Sequence, residues 1–140
     1  MSGFLLDTNV ISELVKPKPD QRLVRWIEET DESTLFLSVL TLGEIRNGVQ
    51  RLRSGRRRAS LESWLQGDLP SRFQDRILPV DAAIADRWGT LSAIPAAKGK
   101  PVPVVDGLLA ATAFHHNLTL VTRNASDVTG IGVPTLNPWS

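Results

Sequence analysis

The chain has 140 residues, of which 41% are hydrophobic and 22% are charged, and its formal net charge is +1. This composition is ordinary for a soluble globular protein and excludes disorder, and the length predicts one domain over residues 1–140. The absence of cysteine excludes disulfides, thiolate metal sites and cysteine nucleophiles. No stretch approaches the roughly 20 apolar residues that span a bilayer, and no signal peptide is evident, so we expect a cytoplasmic protein.

Short apolar runs alternate with segments of helical periodicity along the chain. The strand-like runs are Phe4–Leu6, Leu35–Ser38, Ile77–Val80 and Leu118–Thr122. Two helical segments show an apolar stripe: Leu23, Trp26 and Ile27 follow a candidate N-cap at Asp20, and the stripe from Leu42 to Leu52 stops at Gly55. Three further helical segments are Arg56–Leu69, Ala82–Ala97 and Asp106–His116. Strands that alternate with helices in this way are typical of βαβ units. The sequence therefore predicts an α/β fold with a parallel sheet covered on both faces.

Acidic and amide side chains recur where the predicted strands end. Asp7 ends the first strand, Glu44 lies in the first turn of the helix after the second, and Asp106 ends the run PVPVVD. Asn124 and Asp127 follow the fourth strand. Ligands of open parallel sheets bind beyond the carboxyl ends of the strands, and clustered carboxylates repel one another unless a cation lies between them. Oxygen ligands suit Mg²⁺ or Mn²⁺, whereas the lack of cysteine and the scarcity of histidine argue against zinc.

Several of these acids also have a purely structural interpretation. Glu44 stands three residues after Thr41, as in a capping box. Asp106 could be the N-cap of its helix, and Asp81 is assigned only that role for the helix that starts at Ala82. Asp7 has no comparable structural explanation, because a buried strand gains nothing from an acid at its end without a partner.

The residues also carry a family pattern. LLDTNVISEL, then TLGEIRNGV, then VVDGLLAATAFHHNLTLVTRN, in this order and spacing, resemble the PIN-domain ribonucleases, in particular the VapC-type toxins of toxin–antitoxin pairs. The closing Asn137–Trp139 looks like the FitB-like branch of that family. The resemblance implies a three-layer α/β/α sandwich around a parallel sheet and a ribonuclease that depends on Mg²⁺ or Mn²⁺.

The resemblance also implies roles for individual residues. Asp7, Glu44 and Asp106 match the metal-holding acids of the family, with Asp7 and Asp106 as the direct ligands. The fourth family position, often Asp, is here Asn124, which lowers the charge of the site by one; Asp127 could compensate. The small polar residues that match the shell of the site are Thr8, Asn9 and Thr122.

Partners follow from the same resemblance and from the basic residues. A VapC-like toxin implies an RNA substrate, a VapB-like antitoxin and a homodimer. Lys98, Lys100 and Arg123 are candidate phosphate contacts near the acids, although a loop tip explains the two lysines equally well. The arginines between Arg51 and Arg58 have two interpretations, a solvated helix end or a surface for RNA or an acidic partner.

Three other functions compete with metal-dependent RNA cleavage. A phosphoacceptor receiver domain has a related sheet, but it needs an acidic pair after the first strand and a lysine after the last, and neither is present. A PIN fold that binds RNA or a partner without cutting is favoured only by Asn124. DNA cleavage stays open, because no residue pattern visibly recognises the 2′-hydroxyl group.

Overall fold

A five-stranded, all-parallel sheet forms the centre of the computed structural model, which describes residues 3–140. The strands lie in the order β3–β2–β1–β4–β5. Their bounds are β1 Gly3–Leu6, β2 Leu35–Ser38, β3 Ile77–Leu78, β4 Leu118–Val121 and β5 Thr135–Leu136. The parallel arrangement confirms the prediction from alternating strands and helices. Strand β5 was not predicted, because two residues are too short to form a recognisable pattern.

Helices connect the strands and cover both faces of the sheet. Their bounds are α1 Thr8–Leu14, α2 Gln21–Glu29, α3 Val39–Gln50, α4 Arg56–Ser63, α5 Leu69–Arg72, α6 Ala82–Ala97 and α7 Val104–His115. A π-helical turn at Trp64–Asp68 joins α4 to α5, and 3₁₀ turns lie at Glu32–Thr34 and Ala125–Ile131. Within residues 3–140, no helix has both the length and the apolar character to cross a bilayer.

The sheet separates two hydrophobic cores. Successive side chains of a strand point to opposite faces, so Leu5 belongs to one core and Leu6 to the other. The Leu6 side is covered by α1 to α5 and includes the fully buried Phe73. The Leu5 side is covered by α7 and includes Leu109. The protein is therefore a three-layer α/β/α sandwich, as the family resemblance implied.

Two predicted structural roles for acids are confirmed. Asp20 accepts hydrogen bonds from the amides of Arg22 (2.9 Å) and Leu23 (3.4 Å) at the start of α2. Asp81 accepts from the amide of Ile84 (2.9 Å) at the start of α6. Both carboxylates satisfy amides that have no partner within their own helix.

Two other helix starts differ from the prediction. Helix α3 begins at Val39 with Ser38 as its N-cap, so Glu44 lies in the second turn and does not belong to a capping box. Helix α7 begins at Val104 with Pro103 as its N-cap residue, so Asp106 is inside the first turn rather than at the cap. Ser38 accepts from the amide of Leu40 and thereby starts α3 directly where β2 ends. The capping-box interpretation of Glu44 and the N-cap interpretation of Asp106 are therefore wrong, whereas a favourable interaction of Asp106 with the dipole of α7 remains.

Gly107 allows α6 and α7 to pack closely. A Cβ atom at this buried position would lie 2.8 Å from Nε1 of Trp88 and 3.3 Å from Oγ of Ser92. Both of these atoms are buried without a hydrogen-bond partner in the part of the chain that the structure describes. The glycine next to Asp106 thus sets the distance between α6 and the helix that carries this acid.

Candidate active site

The strand order places a crevice beside Asp7. The next strand along the chain, β2, pairs with one edge of β1, whereas β4 pairs with the other edge. The connections therefore leave the sheet in opposite directions between β1 and β4, which is the switch point where ligands bind in open α/β sheets. The pairing of Leu6 with Val121 puts the next residues, Asp7 and Thr122, side by side at the carboxyl edge.

Backbone and side-chain contacts hold Asp7 at this edge. Its amide donates to the carbonyl of Val121 (2.9 Å), which extends the β1–β4 ladder by one bond. One carboxylate oxygen caps α1 by accepting from the amide of Thr8 (2.7 Å), and the other accepts from the hydroxyl of Thr122 (2.8 Å). Asp7 therefore does have a structural role, as N-cap of α1, contrary to the expectation from sequence, and its carboxylate is positioned by both the sheet and a helix start.

Thr122 is the centre of a small hydrogen-bond network. Its side chain is buried, and its hydroxyl accepts from the amide of Asn124 (3.1 Å) and from Nδ2 of Asn9 (3.3 Å) while it donates to Asp7. Asn9 also accepts from the amide of Arg123 (3.4 Å). Three predicted supporting or site residues, Asn9, Thr122 and Asn124, therefore lie together.

Asp106 faces the same cleft as Asp7. The walls of this narrow cleft are formed by Asp7, Asp106, Thr122 and Asn124, and its floor by Leu109, Leu120 and Val128. Burial, followed by the negative charges of Asp7, Asp127 and Glu44, raises the pKa of Asp106. The position of Asp106 in the first turn of α7 places a negative charge near the positive end of the helix dipole.

Burial also dominates the electrostatics of Asp7. It raises the pKa of this carboxyl, hydrogen bonds from Thr122 and Thr8 act in the opposite direction, and the charges of Glu44 and Asp127 raise the pKa further. A proton or a metal cation offsets the cost of burying the charge, which is the main cause of the raised pKa, and also the repulsion from the neighbouring acids. The cleft therefore carries negative charge that burial makes costly.

Glu44 reaches the site through Thr8. The hydroxyl of Thr8 donates to the Glu44 carboxylate and lies 3.4 Å from the hydroxyl of Thr41. Thr41 is fully buried and was not predicted as part of the site; its place on α3, one turn before Glu44, is the signal that could have identified it. The contact joins α1 to α3, so the second acid is held beside the first by helix packing.

The donor set fits a hard divalent cation, although the acids do not form a complete cage. Within residues 3–140, no three Asp, Glu or His side chains converge closely enough to make a ready-made metal site. Asp7 and Asp106 share the cleft with the amide of Asn124, and the charges of Glu44 and Asp127 act on both acids. An all-oxygen donor set with raised carboxyl pKa values suits an ion such as Mg²⁺, which completes its coordination with water.

The candidate phosphate contacts lie in different surroundings. The guanidinium of Arg123 stacks on the ring of Trp139 (5.4 Å to the ring centre) and acts electrostatically on Glu13. Lys98 and Lys100 line a cavity of about 310 Å³ that also includes Asp127. The lysines thus lie near the acidic cleft, whereas Arg123 is engaged by an aromatic ring.

The arginine-rich segment is partly engaged in contacts within the protein. Arg57 donates to the carbonyl of Val15 (3.2 Å), and Arg58 pairs with Glu62 (3.2 Å). Arg57 and Arg58 lie in the first turn of α4, so the predicted role of a helix end whose cations complement the dipole does not apply to them, and only Arg51 lies at the end of α3. The exposed Arg51, Arg53 and Arg56 form no ion pair within residues 3–140.

Comparison with known proteins places this geometry in a family. The family model described as PIN domain matches residues 4–126, which include Asp7, Glu44, Asp106 and Asn124. The chain belongs to the PIN domain family. Its match begins in β1 and ends just beyond β4, so it contains the switch-point crevice and all four of these residues.

Relatives of this PIN domain protein match over nearly their full lengths. It is 36% identical to Toxin FitB of Neisseria gonorrhoeae over 97% of this chain and 98% of the relative. It is also 36% identical to VapC ribonuclease Y4jK of Sinorhizobium fredii, over 97% of both chains. A solved structure of FitAB bound to an IR36 DNA fragment superposes with a TM-score of 0.93 at 34% identity, covering 98% of this chain and 96% of that one. PIN-domain nucleases of the VapC type use divalent metal ions.

Proposed function

We propose that this PIN domain protein is a metal-dependent endoribonuclease and the toxin of a toxin–antitoxin pair. The observation that carries the proposal is the narrow cleft at the β1–β4 switch point, which Asp7 and Asp106 both line and in which burial and neighbouring negative charges raise the pKa of each. The names Toxin FitB and VapC ribonuclease, borne by full-length relatives, support the reaction and the role.

Asp7 and Asp106 would hold the divalent ion, with Glu44 and Asn124 beside them. A bound divalent ion activates a water molecule and stabilises charge on the phosphate during in-line displacement. Thr122 and the amide of Thr8 orient the Asp7 carboxylate, and the hydroxyl of Thr8 holds Glu44. The amide oxygen of Asn124 would add a neutral donor. Mg²⁺ and Mn²⁺ both suit this donor set.

Cleavage assays with matched variants test the proposal. Single-stranded RNA and DNA of the same sequence are incubated with the protein in Mg²⁺, Mn²⁺ or EDTA. We expect RNA cleavage that EDTA abolishes and that Asp7→Asn and Asp106→Asn each lower by at least about 100-fold. Asp86→Asn, which removes one exposed acid from α6, is the charge-matched control and should cleave like the wild type. Cleavage in EDTA, or full activity of both cleft variants, would disprove the mechanism.

The partners follow from the toxin role. We expect a small antitoxin that binds this protein and blocks RNA cleavage, because solved relatives are complexes such as FitAB. Induction of the wild-type gene in the cytoplasm should arrest growth, Asp7→Asn should not, and co-expression of the antitoxin should restore growth. The homodimer stays a prediction, which light scattering coupled to gel filtration checks. Growth that is unaffected by an active, expressed enzyme would contradict the toxin role.

A further inference from the structure

We infer that the cavity beside the acidic cleft is a subsite for a nucleotide adjacent to the cleaved phosphodiester, with Lys98 and Lys100 as its phosphate contacts. The inference rests on the proposed ribonuclease function and adds a location for the strand that enters the site. The residues that line the cavity are Ile94, Pro95, Lys98, Lys100, Pro101, Val102, Pro103, Ser126, Asp127, Thr129 and Gly130. Its volume of about 310 Å³ lies in the range of roughly 300–1,000 Å³ that is typical of small-molecule pockets.

The cavity and the acidic cleft share two walls. One wall is the segment that leads into α7: Pro103 lines the cavity, and Asp106, three residues later, lines the cleft. Three residues of helix advance the chain by about 4.5 Å. The other wall is the 3₁₀ turn after β4, where Asp127 lines the cavity and Val128 lines the cleft. A strand whose phosphate lies in the cleft therefore passes the cavity with its next nucleotide.

The end of α6 fixes the backbone positions of the two lysines. Gly99 adopts a left-handed conformation (φ +73°), its amide donates to the carbonyl of Ala96 (3.0 Å), and the amide of Lys100 donates to that of Pro95 (2.9 Å). These two bonds form a Schellman motif, a regular end of an α-helix. The segment is therefore a defined helix cap that presents a lysine on either side of its glycine.

Packing against the opposite wall gives the cavity its shape. Gly130 approaches the buried Pro95 so closely that a Cβ atom would lie 2.9 Å from the Cβ of the proline. The 3₁₀ turn thus rests directly on α6, and Pro95, Pro101 and Pro103 limit movement of the wall that runs from α6 to α7. The apolar surface of Ile94 and Val102 suits contact with a base or a ribose, and the hydroxyl of Ser126 suits a hydrogen bond to the polar edge of a base.

Charge favours an anionic ligand at the open side of this cavity. Lys98 and Lys100 are exposed and form no ion pair within the described residues. Lysines near a helix C-terminus also complement the dipole, but this role requires no cavity. The two ammonium groups outnumber the one carboxylate of the lining, that of Asp127, so the cavity suits the negative charge of a nucleic-acid backbone. Such contacts contribute affinity that does not depend on sequence.

The test measures RNA binding separately from cleavage. A fluorescein-labelled, single-stranded 12-nucleotide RNA is titrated with the full-length protein in EDTA, and anisotropy is recorded from 50 to 200 mM salt. Lys98→Ala/Lys100→Ala should weaken binding about tenfold and lower the slope of log K against log salt by about 1.4, because each phosphate contact on a single strand contributes about 0.7. Lys98→Arg/Lys100→Arg should retain the wild-type affinity and slope. Lys18→Ala/Arg25→Ala removes the same charge from exposed positions of the α1–α2 side and is the matched control.

The outcomes separate this inference from the proposed function. If the wild type binds and cleaves RNA, but the alanine pair and the matched control have equal affinity and slope, the subsite is refuted while the ribonuclease remains. If no variant or wild type binds RNA, both fail. With Mg²⁺ present, the alanine pair should raise KM far more than it lowers kcat, because its residues bind the substrate without touching the reacting atoms. An unchanged KM would equally count against the subsite.

Discussion

Replacing Thr122 by valine removes one hydroxyl and leaves the shape of the side chain nearly unchanged. The loss removes a charge-assisted bond to Asp7 (2.8 Å) and two neutral bonds, from the amide of Asn124 (3.1 Å) and from Nδ2 of Asn9 (3.3 Å). A hydrogen bond to a charged group contributes about 1.5–3 kcal/mol and a neutral one about 0.5–1.5 kcal/mol. We therefore expect the free energy of unfolding to fall by about 2.5–6 kcal/mol and the Tm by about 8–20 °C.

The same substitution should alter metal affinity and pH dependence. The Thr122 hydrogen bond lowers the pKa of Asp7, so its removal raises that pKa further. The acidic limb of the pH–rate profile should move to higher pH, because more of the carboxyl is protonated at a given pH. Loss of a group that orients a metal ligand weakens metal binding by about 10- to 100-fold.

These expectations are checked by urea denaturation for stability, by a metal titration followed in a thermal-shift assay for metal affinity, and by a pH–rate profile. Thr122→Ser is the control, since it keeps the hydroxyl and loses one methyl group, at a cost of about 0.8 kcal/mol. The reasoning is refuted if the valine and serine variants have the same stability, metal affinity and pH profile, because the hydroxyl would then have no role of its own.

Three further predictions follow from the same region. Without metal, the pKa of Asp106 is higher in the folded state than its ordinary value of 3.8, so the folded protein binds more protons than the unfolded chain between these two pKa values. The free energy of unfolding of the wild type therefore falls as pH rises through this window. Asp106→Asn, which does not titrate, should become more stable relative to the wild type over the same window in urea titrations. Thr8→Val frees Glu44 and should lower kcat about tenfold with little change in Tm, and equal kcat values would contradict the link. Gly107→Ala should lower the free energy of unfolding, because crowding of the new methyl group against Trp88 costs about 1–3 kcal/mol and the higher helix propensity of alanine returns only about 1 kcal/mol. A variant that is more stable than the wild type in urea would show that α6 moves away from α7 at little cost.

Much of the fold and the location of the acids follow from local patterns in the sequence. The strand run that ends at Asp7 and the caps at Asp20 and Asp81 were predictable, because each depends on residues close together in the chain. The roles of the acids stay predictions until the variants above are assayed.

The features that could not be predicted depend on contacts between distant segments or on close local competition. The link from Thr8 to Glu44 exists because α1 packs against α3, across 36 residues of chain. Helix α7 starts at Val104, directly after Pro103 and without a side-chain cap, although Asp106 is the better capping residue type.

The hydrogen bond from the amide of Asp7 to Val121 has a consequence for regulation. The acid is an extra rung of the central parallel ladder rather than part of a loop, so displacing it requires separating β1 from β4. Such strands open only with the most stable unit of a protein, not through local fraying. A nuclease built in this way has no off state that it can reach by bending a flexible segment. Control of the proposed activity would then rest on occupancy: on the divalent ion that the proposed site would hold, and on a partner that covers the cleft.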